Sequence, residues 1–369
     1  MVKLCLIYNT APRYRESIYK AIDAQYDCDW YFGKSKLGIK EMDISSLKNV
    51  KYYKTFGNPN NFYFKIGIIK LLFHRTYQTY FMIADIRSIT DWIFYFLLFT
   101  FFPNKKLYLW THGWYGKEFG IFAKMKLWLY RNATGIFVYG NYARDLLIKE
   151  GISADKLFTI HNSLHYNQQR TLREEMQASS IYSDKFRNEN PVIVFIGRLT
   201  SVKKLDMLVN AVSTLKQRGE NYNLVLVGDG VDRSKLEDLV ASLALNEQVW
   251  FYGECYDEKV NAELIYNADL CVSPGNVGLT AMHSMVFGTP VISHNAFSMQ
   301  MPEFEAIVPN KTGAFYEYDN LESLVNTISH WLRASQSNRD EIRKNCYNEI
   351  DLKWTPEYQM KVIKKNIVL

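Results

Sequence analysis

The stretch that decides the fold is Val192-Ile193-Val194-Phe195-Ile196-Gly197-Arg198-Leu199-Thr200-Ser201-Val202-Lys203-Lys204. Its five consecutive apolar residues predict a strand that is buried on both faces, as in a parallel sheet. Gly197 then predicts a tight turn, and apolar residues at helical spacing follow it, at Leu205, Leu208, Val209, Val212 and Leu215. The turn therefore places two cations, Arg198 and Lys203, between a buried strand and a helix.

Two more units of strand, glycine turn and helix come later in the chain. The apolar run 224–227 closes on Gly228-Asp229-Gly230, and the run that begins at Cys271 leads through Gly275-Asn276-Val277-Gly278 into a helix predicted from Leu279 to Phe287. Repetition of this unit predicts parallel βαβ structure, in which ligands bind at the carboxyl ends of the strands, facing helix N-termini. The three turns are thus expected to bind phosphate together.

The order and spacing of these signals resemble the C-terminal domain of the retaining glycosyltransferases of family 4, over about residues 190 to 325. The resemblance implies the GT-B fold class, α/β with two Rossmann-like domains facing a central cleft. It also implies transfer of a sugar from a nucleotide-sugar donor with retention of configuration. The matching positions are Gly197, Arg198 and Lys203, the Val-Gly-Asp-Gly at 227–230, Phe251 and Gly253, the Gly-x-Pro-Val-Ile at 288–292, Pro302-Glu303, and Lys-Thr-Gly at 311–313.

Glycosyl transfer needs fixed positive charge on the departing diphosphate, and Arg198 and Lys203 are the candidates to supply it. Because protein cations can do this, we expect no metal ion and no cofactor. The donor itself is expected to be a nucleotide sugar of the UDP or GDP type. The resemblance and the helix start at 277–279 predict the other donor-binding residues: Gly197, Gly253, Asn276, Val277, Gly278, Leu279, His283 and Glu303.

The chain departs from the family pattern at the third turn. Family members carry two Glu residues eight positions apart, the first on the donor sugar and the second on the ribose, and here Gly275 and His283 stand in those places. His283 lies one helical turn after Leu279, where an imidazole can donate to or accept from a ribose hydroxyl. Alternatively, His283 is a packed helix residue in a site that has lost its activity.

The first half of the chain supplies the remaining candidates. A strand ending at Thr111 leads to His112, for which the resemblance predicts a catalytic contact with the donor sugar; the alternative is a structural histidine. Arg13 and Arg15 follow the first strand, and Lys117 follows His112. We expect these three cations to bind the acceptor, although Arg13 and Arg15 also fit exposed helix positions.

The formal charge of +6 hides an asymmetry along the chain. Residues 1 to 180 hold 25 Lys or Arg and 14 Asp or Glu, whereas the remainder holds 19 and 24. A basic first half predicts an anionic partner such as phospholipid head groups, although solvated charge is the alternative. Nucleic acid has only this net charge in its favour, so we expect no nucleic-acid partner.

An apolar window runs from Asp91 to Phe102, with cations on both sides. It is well short of the roughly 20 residues that span a bilayer, so it predicts a buried helix or one that dips into a membrane. The flanking cations favour peripheral attachment to an anionic membrane: Lys65, Lys70, His74, Arg75, Lys105 and Lys106.

A length of 369 residues predicts two domains. We place an acceptor-binding domain at 1–175, a partly helical linker over 166–190, a donor-binding domain at 176–353, and a C-terminal helix at 354–369 that crosses back to the first domain. The five cysteines are scattered without metal-ligand spacing, and the N-terminal strand is too short for a signal peptide. Both features favour a cytoplasmic protein, and the cations around the apolar window favour a peripheral position on the inner face of the cell membrane.

These observations favour a retaining glycosyltransferase that acts on a saccharide or lipid-linked saccharide, in the synthesis of a surface polysaccharide such as lipopolysaccharide or capsule. One alternative is a nonenzymatic scaffold that binds nucleotide sugars, which Gly275 and His283 make plausible. Another is a nucleotide-sugar epimerase on the same fold. A nicotinamide dehydrogenase is disfavoured, because no Gly-x-Gly-x-x-Gly follows a strand.

Overall fold

The computed structural model describes residues 3–33, 40–58, 61–335 and 337–369. The chain divides into two compact units, which we call the first unit (Met1–His165 with Thr355–Leu369) and the second unit (Tyr166–Trp354). The division lies ten residues before the predicted boundary at 175/176.

A parallel sheet organises the first unit, in the strand order β3-β2-β1-β6-β7-β8-β9, and β4 pairs with β5 in an antiparallel hairpin. The strands are β1 (Lys3–Tyr8), β2 (Cys28–Phe32), β3 (Val50–Tyr52), β4 (Lys54–Gly57), β5 (Tyr63–Ile66), β6 (Tyr77–Ile83), β7 (Lys106–Thr111), β8 (Gly135–Val138) and β9 (Leu157–Thr159). The helices are α1 (Glu16–Gln25), α2 (Ile89–Phe101), α3 (Gly120–Asn132) and α4 (Asn141–Lys149). Apolar cores form on both faces of the sheet, as parallel strands require.

The second unit repeats this plan around a parallel sheet in the order β12-β11-β10-β13-β14-β15. Its strands are β10 (Val192–Ile196), β11 (Asn223–Val227), β12 (Val249–Gly253), β13 (Leu270–Val272), β14 (Val291–His294) and β15 (Gly313–Tyr316). Its helices are α5 (Tyr166–Glu175), α6 (Ile181–Phe186), α7 (Leu205–Gln217), α8 (Arg233–Ser242), α9 (Glu258–Asn267), α10 (Leu279–Val286), α11 (Leu321–Ser335) and α12 (Arg339–Lys353). A last helix, α13 (Pro356–Asn366), packs on α1 and β9 of the first unit.

The strand and the helix predicted on either side of Gly197 are β10 and α7, and the helix predicted from Leu279 ends at Val286. The segment that we expected to be a partly helical linker forms α5 and α6, and both helices pack on α9, so it is part of the second unit. Burial explains this difference, because Tyr166, Tyr182 and Phe186 are buried.

The apolar window at 91–102 is α2, which packs on β5. Its Asp91 is fully buried in an ion pair with Lys65, so Lys65 is not one of the surface cations that the sequence suggested. Among the described residues, no helix combines the length and the hydrophobicity that crossing a bilayer requires.

Candidate functional site

The glycine turns at Gly197, Gly228 and Gly253 meet at the carboxyl edge of the second sheet, because β10, β11 and β12 are neighbours in it. The amide of Gly197 donates to the carbonyl of Val227 at 2.9 Å, and the amide of Gly228 donates to the carbonyl of Gly253 at 2.7 Å. A Cβ atom on Gly228 would lie 1.9 Å from the oxygen of Gly197. Glycine is therefore required here for the backbones to pack, and Gly197 and Gly253 both lie at this packed edge.

Lys203 is held against the turn at residues 275–278, which we call the third turn. Its Nζ donates to the carbonyl of Asn276 at 2.6 Å and to Asn276 Oδ1 at 2.9 Å. Burial, together with the nearby charge of Arg198, lowers the pKa of Lys203 from 10.5 to about 8, against the opposing attraction of Glu303. Lys203 is thus still mostly protonated at neutral pH and lies within the field of both charges.

Arg198 is exposed at the end of β10. It makes no hydrogen bond or ion pair with any residue that the structure describes. Its positive charge contributes to lowering the pKa of Lys203, so the two cations lie close enough to repel each other. A guanidinium in this position is available to bind an anion.

The third turn lies directly on the turn that carries Lys203. The amide of Gly275 donates to the carbonyl of Lys203 at 2.9 Å, and the amide of Asn276 donates to the carbonyl of Val202 at 3.3 Å. A Cβ atom on Gly275 would lie 1.9 Å from Val202 O and 2.7 Å from Lys203 Cα. This backbone therefore leaves no room for a side chain at 275, where family members carry Glu.

A buried glutamine fixes the end of the third turn. Gln300 Oε1 accepts from the amide of Val277 at 2.9 Å, and its Nε2 donates to Ser293 Oγ at 2.8 Å. The amide of Val277 is therefore taken up within the protein. Gly278, at φ 55°, precedes α10 without a side-chain cap, so of the amides predicted to bind an anion, those of Gly278 and Leu279 remain candidates.

His283 forms part of a polar chain on the partly exposed face of α10. Its Nε2 lies 2.9 Å from Glu258 Oε1, and the same oxygen accepts from Gln169 Nε2 at 2.7 Å. Leu279 and His283 are the residues of α10 that keep some solvent exposure, four positions apart. Sequence reasoning missed Glu258, because its distance from His283 along the chain gave no signal of the pairing.

Glu303 is buried in the turn Pro302–Ala306, which packs on α10. Its negative charge favours the protonated form of Lys203. The structure therefore brings Glu303, Lys203 and Arg198 into one electrostatic group.

Among the candidates of the first unit, His112 and Arg15 meet at Tyr139. The His112 ring lies 4.9 Å from that of Tyr139, and the Arg15 guanidinium hydrogen-bonds the Tyr139 hydroxyl and lies over Trp110. The His112 side chain is exposed to solvent on one side. Its pKa is nevertheless lowered to about 4, mainly because protein atoms pack around the ring and also because of the positive charges of Arg15 and Lys126. We therefore expect a neutral imidazole at pH 7.

The other acceptor candidates differ from Arg15 in exposure. Arg15 is buried, whereas Arg13 and Lys117 are exposed. Glu118, beside Lys117, accepts from the amides of Tyr115 and Gly116 and pairs with Lys126 at 2.8 Å. Its carboxylate thus orders its own loop. In the described part of the chain, no group of three His, Cys, Asp or Glu residues is placed to hold a metal ion.

The second unit is similar in sequence to known glycosyltransferases. Residues 178–349 match the family model described as Glycosyl transferases group 1. A 158-residue segment is 27% identical to the GDP-mannose-dependent alpha-(1-6)-phosphatidylinositol dimannoside mannosyltransferase of Mycobacterium tuberculosis, covering 42% of this chain and 38% of that protein. The chain covers between 36% and 43% of the first curated relatives that it matches.

Two solved structures share the fold over the whole chain. The Anabaena protein HepE, solved in complex with UDP, is 16% identical with a TM-score of 0.73, and 99% of each chain is covered. The lipopolysaccharide outer core galactosyltransferase WaaB is 15% identical with a TM-score of 0.71 at the same coverage. The predicted GT-B fold class is thereby confirmed.

Proposed function

We propose that this chain, whose residues 178–349 match the family model of the glycosyl transferases group 1, is a retaining glycosyltransferase that uses a nucleotide-sugar donor. The observation that carries the proposal is the pair of cations, Arg198 and Lys203, at the carboxyl edge of a parallel sheet, with Lys203 held at the turn that leads into α10. Fixed positive charge at this edge would stabilise the departing diphosphate without a metal ion.

Each cation has a distinct part in this proposal. Arg198, which no described residue engages, would grip two phosphate oxygens with its planar guanidinium. Lys203, already oriented by Asn276, would add a point charge close to Gly278. The helix dipole and the first amides of α10 would supply further donors.

At Gly275, where the family carries its first Glu, the backbone packs on Val202 and leaves no open pocket in place of the side chain. We infer that backbone and amide groups of this turn, with Asn276 and Glu303, contact the donor sugar. The second Glu is replaced by His283 together with Glu258, so that a carboxylate still lies beside α10. We infer that this pair holds the ribose.

For the first unit we propose that His112 contacts the donor sugar and that Arg13, Arg15 and Lys117 serve the acceptor. A neutral imidazole at His112 can both donate and accept hydrogen bonds with sugar hydroxyls. Retention would follow front-side attack, in which a donor phosphate oxygen takes the acceptor proton.

We further propose that the acceptor is a saccharide or lipid-linked saccharide and that the enzyme works on the cytoplasmic face of the cell membrane, in surface polysaccharide synthesis. The names of similar proteins support this: the mycobacterial relative is named for a phosphatidylinositol glycoside, and WaaB for the lipopolysaccharide outer core.

The test is thermal stabilisation by UDP, GDP, ADP, CMP and their sugars, followed by turnover with the selected donor. We expect one nucleotide to raise the melting temperature and Arg198→Ala to lower turnover by about 10²- to 10³-fold. Arg333→Ala is the matched control, because Arg333 is an exposed arginine of the same unit that pairs with Glu220.

Two results would contradict the proposal. If no nucleotide stabilises the folded protein, the donor site is wrongly placed. If a nucleotide sugar binds in an Arg198-dependent manner but no transfer or hydrolysis follows with any acceptor tested, the protein is the nonenzymatic scaffold that the replacement of both Glu residues suggests.

A further inference from the structure

The β4–β5 hairpin of the first unit has its charge inside and its apolar side chains outside. In β5, Tyr63 and Lys65 are buried, whereas Phe64 and Ile66 are exposed. A strand on a water-facing surface shows the opposite pattern, with polar residues outward. The outer face of the hairpin therefore fits an apolar or partly apolar environment better than water alone.

The outward side chains of the hairpin form one continuous face. Phe56 lies directly opposite Phe64 in the antiparallel pair, and Phe62 precedes Phe64 by two positions, on the same side of the strand. Phe62 also stacks on Phe122 of α3, with ring centroids 6.3 Å apart. We call this set the aromatic surface: Phe56, Phe62, Phe64, Ile66 and Phe122.

The exposure of the aromatic surface is large. Phe56 is 71% exposed, Phe62 53% and Ile66 55%. Contiguous apolar side chains of this size on one face mark a site of interaction rather than ordinary surface.

Exposed lysines lie in or next to the elements that carry the aromatic surface, whereas the carboxylate of Asp85 accepts from Tyr63, on the inner face of the hairpin, and from Asn9. Lys54 lies opposite Ile66 on the hairpin, and Lys70 and Lys124 are exposed nearby along the chain and on α3. The sequence from Lys54 to Ala84 contains no Asp or Glu. At the start of α3 the one acid, Glu118, is already engaged by Lys126 and by loop amides. A binding partner with an apolar interior and a negatively charged surface fits this combination of aromatic rings and lysines.

We propose that the aromatic surface inserts into an anionic phospholipid bilayer, with its rings at the boundary of the acyl chains and with Lys54, Lys70 and Lys124 at the head groups. Aromatic rings favour this depth, and basic residues favour anionic lipid. The buried pair of Lys65 and Asp91 holds the inner face of the hairpin to α2, which keeps the outer face presented. The inference rests on the proposed function for its lipid-linked acceptor, but it is measured without donor or turnover.

The test is co-sedimentation of the full chain with vesicles of phosphatidylcholine alone or mixed with phosphatidylglycerol. We expect binding to the mixed vesicles only, weakened by salt. Phe62→Ser combined with Phe64→Ser should weaken it by about tenfold or more, since both rings leave the interface. Lys54→Ala and Lys124→Ala should each weaken it by about fivefold. Leu352→Ser and Lys344→Ala, exposed positions of the second unit, are the matched controls and should leave binding unchanged.

Failure of this inference is distinguishable from failure of the proposed function. Donor-induced stabilisation of the Phe62/Phe64 variant reports that it is folded and that its second unit still binds nucleotide. The inference is overturned if the wild-type chain ignores mixed vesicles, if it binds neutral vesicles equally well, or if the double variant binds as the wild type does. It is also overturned if vesicle binding is absent and the double variant abolishes a concentration-dependent dimer, because a second copy then covers the surface.

Discussion

The two units share one plan, a parallel sheet between helices, but they place charge and apolar surface in opposite ways. In the second unit the cations Arg198 and Lys203 lie at the edge of the sheet, and the large exposed apolar residues are scattered, for example Val231 and Leu352. In the first unit a lysine is buried and the phenylalanines of one hairpin face outward. The same fold thus yields a cationic edge, where we propose that phosphate binds, in one unit and an amphipathic surface in the other.

The difference between the two units shows which structural features a short sequence motif can predict. The edge of the second sheet is made by short, contiguous stretches with glycine at fixed positions, because close backbone packing leaves few alternatives. The hairpin of the first unit depends on which face of a two-stranded element is covered. Sequence patterns alone do not fix that choice.

The largest expected effect on stability follows from substitution at the buried pair of Lys65 and Asp91, and it tests the contrast between the two units. Their Nζ and Oδ2 atoms are 2.6 Å apart, and both side chains are fully buried. Burial alone would lower the pKa of Lys65, but the attraction of Asp91 outweighs it and raises that pKa. Lys65→Met leaves a buried carboxylate without its partner, so it should cost about 3 to 5 kcal/mol in the free energy of unfolding. Urea unfolding of the first unit measures this.

Controls come from both units. Lys65→Met combined with Asp91→Leu should recover most of the stability, because neither charge is then buried alone. Arg218→Met in the second unit breaks an exposed pair with Glu322 and should cost less than about 1 kcal/mol. If Lys65→Met costs no more than Arg218→Met, the hairpin is not held by its buried pair.

The sequence predicted the strands, turns and cations of the second unit because buried parallel strands are continuous apolar runs and their turns need glycine. It did not predict that Gln300 occupies the amide of Val277 or that Glu258 pairs with His283. Both contacts join residues more than twenty positions apart, and neither residue type is distinctive on its own. It also placed Lys65 among the surface cations, because nothing along the chain indicates that Asp91 packs opposite.

A smaller effect is expected at Gly275 and sharpens the comparison from the side of the second unit. Gly275→Ala forces the third turn away from Val202, at about 1 to 3 kcal/mol in the free energy of unfolding, and should remove nucleotide stabilisation. Gly275→Glu, which restores the family pattern, should also lose nucleotide binding. Gly219→Ala has open space around its Cβ and is the control for stability without the site, although its φ of 82° adds strain. Nucleotide binding retained by Gly275→Ala would show that the turn tolerates displacement.

The smallest effect is a pH dependence that assigns the titrating group to one unit. Lys203 has its pKa lowered to about 8, chiefly by burial, whereas His112 has its pKa lowered to about 4. Donor affinity should therefore hold from pH 6 to 7 and weaken above pH 8, by at most about tenfold per pH unit, as Lys203 loses its proton.

The stability of the unliganded protein should change in the opposite direction. Between pH 8 and 10.5 the unfolded chain binds a proton at Lys203 that the folded chain has released, so the contribution of Lys203 to stability rises with pH in that window. Lys203→Met should remove both trends when donor affinity and urea unfolding are measured across pH. If donor affinity instead falls below pH 5 and is constant above pH 8, the titrating group is His112. The charge that controls donor binding would then lie in the first unit and not in the second.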